Sequence, residues 1–98
     1  MLVSILEGHV SSEKWTSLEY AYRNGVKYIP PHLIKSFLIQ DKNDKNVWRI
    51  IAEWTSEKEF EERNESQEIL RSCADMFRNA GVEPTRRNFV VKAQHTRV

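Results

Sequence analysis

Residues 47–60 read VWRIIAEWTSEKEF. The first part, to Trp54, is apolar and rich in β-branched and aromatic residues, so it reads as a strand. Ser56-Glu57-Lys58-Glu59 then forms a capping box, with Ser56 bonding forward and Glu59 reaching back. A helix therefore starts just after the strand-ending tryptophan. The strand barely alternates. Trp48, Ile50, Ala52 and Trp54 share one face, and Val47 and Ile51 lie opposite with Arg49 and Glu53. Antiparallel sheets covered on one side only should show a polar second face.

The flanking residues extend the pattern. Leu2 to His9 reads as a first strand. Ser11 or Ser12 caps a helix whose face carries Trp15, Leu18 and Tyr22, with Val10 and Trp15 placed as a hydrophobic staple. Gly25 is read as the helix stop. Val26 to Pro31 is a loop stiffened by two prolines, and His32 to Gln40 a second strand. In that strand simple alternation sends Leu33, Phe37 and Ile39 one way and Ile34 and Leu38 the other. The polar run Asp41 to Lys45 connects a hairpin, and the third strand spans Asn46 to Trp54. The following helix runs to Ala80, with a break expected near Asn64 to Ser66 and Ser66 as its new cap. Its apolar face is Ile69, Cys73, Met76, Phe77 and Ala80. Gly81 and Pro84 end it. Arg87 to Gln94 reads as a fourth strand and His95 to Val98 as a tail.

The order β-α-β-β-α-β predicts an α+β, ferredoxin-like antiparallel sheet with helices on one face, as a single domain over residues 1–98. The apolar face of Trp48 and Trp54 is expected under the chain's own helices. The mixed face, with Arg49 and Glu53, then calls for a second copy, so a homodimer is predicted.

Totals exclude several classes. Fifteen basic and 14 acidic residues give a net charge of +1, so no nucleic-acid footprint is expected. An RNA-recognition module shares the element order, but NVWRIIAEW has no glycine in an aromatic-rich strand motif. Apolar runs are too short for a membrane span, and no secretion signal is read at the N-terminus. Cys73 is the lone cysteine and can form no internal disulfide. A cytoplasmic location is expected.

Trp54, Ser56, Phe60 and Ser66 carry a resemblance. A βαββαβ chain with a strand-ending Trp followed by W-x-S-x-x-x-F and a later Ser resembles the antibiotic biosynthesis monooxygenase-like family, of the dimeric α/β-barrel superfamily. The likeness covers nearly the whole chain in element order. Many members carry a His where this chain has Arg63, and Pro-Gly where it has Pro31-His32. The heme-degrading branch uses an Asn on the first strand and a Trp and a His on the second helix. Here the first strand has no Asn, and the helix places hold Arg63 and Cys73, so heme binding is not expected.

The resemblance implies a pocket between sheet and helices and oxidation of a small phenol- or quinol-like aromatic molecule, with no metal, flavin or other cofactor. In that chemistry the substrate becomes an anion and itself reduces oxygen. The candidate walls are Tyr22, Trp48, Trp54 and Phe77. Arg63 is the candidate anion stabiliser and His32 the candidate base. Each has a plainer reading: the tryptophans as core, Arg63 as a salt-bridged surface residue beside Glu61, Glu62 and Glu65, His32 as a loop or strand-edge residue. The alternative function is a non-catalytic dimeric barrel that binds a small ligand.

Overall fold

The computed structural model describes residues 1–97; Val98, the last residue of the expected tail, lies outside the described residues. The strands are β1 (Leu2–His9), β2 (Leu33–Gln40), β3 (Val47–Trp54) and β4 (Thr85–Val90). They form one antiparallel sheet in the order β2-β3-β1-β4. A short 3₁₀ turn (Ser12–Lys14) precedes α1 (Trp15–Gly25), and α2 (Glu57–Glu62) and α3 (Asn64–Asn79) follow β3. This is the α+β, ferredoxin-like arrangement read from the sequence.

The helix-facing side of β3 is as expected. Trp48, Ile50, Ala52 and Trp54 are all buried, and β1 adds Leu2, Ser4 and Leu6 to the same face. Against them pack Leu18 of α1, Phe60 of α2, and Leu70, Cys73, Met76 and Phe77 of α3. Gly8 of β1 is part of this fit. A Cβ there would stand 2.7 Å from Phe77 Cδ1, inside van der Waals contact, so the ring occupies the space that any side chain would need.

Local chemistry explains the joints. Val10 and Trp15 meet, with Trp15 Nε1 donating to the Val10 carbonyl at 2.8 Å. Ser56 Oγ accepts from the Glu59 N–H at 3.1 Å. The return half of the capping box is replaced: the Glu59 carboxylate accepts from Thr55 Oγ1 and pairs with Arg63.

Five expectations are corrected. In β2 the register is irregular between Leu33 and Lys35, a β-bulge. A bulge adds one residue and reverses the parity beyond it. Leu33 therefore pairs with Trp54 and Leu38 with Ile50 on the helix side, while Phe37 and Ile39 pair with Ile51 and Arg49 on the other. The helix break falls at Arg63, whose backbone is extended (φ −99°, ψ 121°). Ser66 lies inside α3 and caps nothing; its hydroxyl turns to His32. Gly25 is the last residue of α1, and it serves packing: a Cβ there would meet Met76 Cε at 2.6 Å. The left-handed stop is at Gly81, with φ 83°. Finally, β4 begins at Thr85 and ends at Val90, because Val90 pairs with Leu2 and β1 offers only Met1 beyond it.

Gly8→Ala is expected to destabilise the fold by ~1–3 kcal/mol, the usual cost of overpacking a filled core. A urea unfolding midpoint unchanged from that of the native chain would contradict this packing.

Candidate functional site

Burial sorts the residues singled out by the sequence. Trp54 and Phe77 are completely enclosed. Trp54 packs its ring 5.1 Å from Phe60 and 5.2 Å from His32. Its Nε1 donates to Ser4 Oγ at 3.0 Å, and Ser4 Oγ in turn donates to Asn88 Oδ1 at 2.8 Å. His32 lies in the turn just before β2, outside the strand expected to begin with it. It is 1% exposed, with Nε2 2.7 Å from Ser66 Oγ and Nδ1 without a partner. An imidazole sealed this way has no path to a substrate proton in this conformation, because a base must come within hydrogen-bond reach of the proton it takes.

Arg63 stands apart from these aromatics. It sits at the α2–α3 junction, its N–H bonded to the Glu59 carbonyl at 3.1 Å, and its half-exposed guanidinium lies 3.7 Å from the Glu59 carboxylate. The salt-bridged surface reading describes its position.

Tyr22 and Trp48 are brought together, at the opposite end of the sheet. They share a cleft of about 310 Å³ between α1 and β2 with Glu19, Ser36 and Phe37. The Tyr22 and Ser36 hydroxyls share a hydrogen bond of 2.7 Å. Burial pushes the Tyr22 phenol above its ordinary range, only partly offset by Ser36. It therefore stays protonated at neutral pH. Trp48 packs against Trp15, and its buried Nε1 has no partner.

Another cleft, of about 320 Å³, opens between α3 and β4. Its floor is Leu6, Leu70 and Ala74, all buried. Its rim carries Gln67, Arg71 and Arg78 from α3 and Arg86 from β4. The helical residues fall at spacings of three and four, so they form one stripe. Arg86 pairs in register with Leu6, which puts it on the helix-facing side of the sheet. Arg78 is satisfied: it binds Glu83 through Nε at 2.9 Å and Nη2 at 3.0 Å, and Asp75 through Nη1 at 2.8 Å. Those bonds raise its pKa and hold the Glu83 carboxyl below its usual range. Arg86 Nη2 donates to Gln67 Oε1 at 2.9 Å. Neither Arg86 nor Arg71 has a carboxylate partner among the described residues. Both are exposed to solvent, so the rim presents two guanidiniums with no carboxylate partner among the described residues.

The sequence reading missed this cleft. The α3 stripe was visible as arginines flanking an apolar face, but a fourth strand begun at Arg87 left Arg86 outside the sheet. With the strand begun after Pro84, parity puts Arg86 on the helix side.

Comparison with solved structures follows the same lines. A protein from Deinococcus radiodurans assigned as an antibiotic biosynthesis monooxygenase superposes with a TM-score of 0.70 at 10% identity, covering 100% of this chain and 99% of that one. A mutant form of SnoaB, a cofactor-independent oxygenase from Streptomyces nogalater, gives 0.63 at 11% identity, over 95% and 94% of the two chains. A further protein assigned as an antibiotic biosynthesis monooxygenase, from Nitrosomonas europaea, gives 0.63 at 14% identity, over 97% of this chain and 100% of that one. No family model and no curated protein matches the chain. The resemblance read at Trp54 to Ser66 thus holds at the level of the fold, over nearly the full length.

Ser66→Ala is expected to cost ~1–3 kcal/mol, because it strips a buried ring nitrogen of its one partner. Arg63→Ala should shift stability by no more than ~1 kcal/mol, as for an exposed ion pair. Thermal or urea unfolding of both variants checks this, and the reverse ranking would mean that the buried pair is not what holds the corner.

Proposed function

We propose that the chain, built on the fold of the antibiotic biosynthesis monooxygenases, takes a small phenol- or quinol-like aromatic molecule into the cleft between α3 and β4 and oxidises it as a cofactor-independent monooxygenase. The observation that carries this reading is the pair Arg71 and Arg86, uncompensated above Leu6, Leu70 and Ala74. The two guanidiniums at the rim favour an ionised oxygen on a ring bound beside them. An electron-rich phenolate or quinolate is the form that passes electrons to oxygen. Lowering the cost of that anion is the main task left to the protein. Likeness in fold to a cofactor-independent oxygenase supports the reaction type.

A second reading, a non-catalytic ligand-binding barrel, is favoured by a specific feature. The residues lining the cleft include no carboxylate and no imidazole. The nearest candidates of the sequence reading, His32 and Arg63, are respectively sealed behind Trp54 and paired with Glu59. A protein with only arginines at the rim binds an anion without itself taking the proton.

Oxygen uptake with a dihydroxynaphthalene separates the two readings. The enzymatic reading expects consumption above the protein-free rate, reduced at least about tenfold in Arg86→Gln. Saturable binding without added oxygen uptake would leave the ligand-binding reading. No binding at all would overturn both.

The homodimer belongs to this proposal. The face of the sheet away from the helices carries Phe37 and Ile39 of β2, Ile5 of β1, Ile51 of β3 and Phe89 of β4. Phe89 is 41% exposed and Ile39 36% exposed. Among them lie the cross-strand pairs Glu7–Arg49 at 2.6 Å and Lys35–Glu53 at 3.6 Å. Two such faces stacked across a twofold axis would cover the apolar groups, while the charge pairs would set the register. Sedimentation equilibrium at micromolar concentration should give the mass of two chains, with an interface above about 2,000 Å². A monomer throughout would contradict the stacking.

A further inference from the structure

The α3–β4 cleft says more about its ligand than that it is aromatic. We infer that the molecule it takes carries a carboxylate beside its aromatic hydroxyl, and that this carboxylate is the group held by Arg71 and Arg86. The inference rests on the reading of this cleft as the ligand site.

Charge balance comes first. Of the three arginines on the rim, Arg78 is neutralised within the chain by Asp75 and Glu83. Arg71 and Arg86 are not neutralised by any described residue. A phenol has a pKa near ~10, so it arrives neutral at physiological pH and offers a single oxygen. A carboxylic acid, with a pKa near ~4, arrives fully charged and offers two oxygens, matched to a planar guanidinium fork. Arg71 and Arg86 are both exposed to solvent, so what separates the two ligands is the charge-assisted, two-oxygen hydrogen bonding that a carboxylate offers a guanidinium and a neutral phenol does not.

Geometry points the same way. Gln67 Oε1 takes one Nη2 hydrogen of Arg86, at 2.9 Å. That bond ties the guanidinium to α3 while its other N–H groups remain to donate. Gln67 is neutral, so it orients the cation without cancelling its charge. Leu6 and Leu70, 1% and 2% exposed, close the floor, and Ala74 leaves it shallow. Because those side chains are almost fully enclosed, the accessible lining is mainly the polar rim, and the carboxylate is the part of the ligand that the cleft engages. Gln67 and Arg86 are thus assigned as a positioning and a binding residue for one carboxylate.

The test compares a hydroxynaphthoate with the corresponding naphthol near neutral pH. Affinity is followed by calorimetry and oxygen uptake by an electrode, with the native chain and with Arg71→Gln and Arg86→Gln, whose folding is checked by urea unfolding. Hydroxynaphthoate should bind at least about tenfold tighter than naphthol. Each arginine variant should weaken hydroxynaphthoate by about 10- to 100-fold, the range for losing a hydrogen bond to a charged group, and change naphthol by less than about threefold. Gln67→Leu should weaken hydroxynaphthoate less than Arg86→Gln does. Equal affinities for the two ligands, or an equal arginine effect on both, would overturn the carboxylate inference and leave the aromatic site standing. Absence of arginine-dependent binding for either ligand would overturn the site itself. Tight, arginine-dependent binding of hydroxynaphthoate without oxygen uptake would uphold the carboxylate and reject the oxidation.

Discussion

Trp54 is the point on which the two layers of this protein close. It ends β3, and α2 begins three residues later. Its ring is fully enclosed, with Phe60 of α2 on one side and His32, from the approach to β2, on another. Its indole N–H is spent on Ser4 of β1, which passes the bond on to Asn88 of β4. One side chain thus connects all four strands and the first helix after the sheet. A buried indole costs free energy if its donor is unpaired, so the Ser4 hydroxyl is as necessary to the corner as the ring contacts are.

The same corner explains why Trp54 and His32 are enclosed rather than open to a ligand. A tryptophan that holds four strands together cannot also be a substrate shelf, since a shelf needs an empty side. His32 is part of that packing. It stacks on Trp54 and spends Nε2 on Ser66, which fastens α3 to the approach of β2. Two of the open spaces lie between sheet and helices: between α1 and β2, where Tyr22 and Trp48 meet, and between α3 and β4, where Arg71 and Arg86 are. Cys73, at the middle of the helix interface, is pushed up to about 11 by burial and stays a thiol. It acts as a small apolar residue there.

Elements with a strong local signature were legible in the sequence. The β3 run and the Ser56 cap each rest on neighbouring residues, and each appears as read; the expected Ser11 or Ser12 cap does not, since α1 starts at Trp15 after a 3₁₀ turn and Ser11 makes no side-chain cap bond. What was not legible depends on partners distant in the chain. The β2 bulge exists to bring Leu33 opposite Trp54 while keeping Leu38 opposite Ile50, and alternation within β2 cannot reveal it. The end of β4 is set by the end of β1. The helix break was read next to its place, at Asn64 rather than Arg63, but the expected Ser66 cap was not there, because the Ser66 hydroxyl is bonded to a residue distant in the chain, His32. The site suffered in the same way. Residue type marked His32 and Arg63 as chemical, whereas burial and pairing remove them and bring forward Arg71 and Arg86. Those two are ordinary in sequence and become a pair only through the β1–β4 register.

The central claim of the proposal is therefore spatial: it puts the ligand in the cleft between α3 and β4, not under Trp54 and not beside Tyr22. Nitrogen-15 spectra that resolve arginine Nε–H and tryptophan Nε1–H signals read all three places at once. On titration with hydroxynaphthoate, the account predicts saturable shifts of the Arg71 and Arg86 signals, with those of Trp48 and Trp54 unmoved. Shifts confined to the Trp48 or Trp54 indoles, with the arginine signals silent, would contradict it.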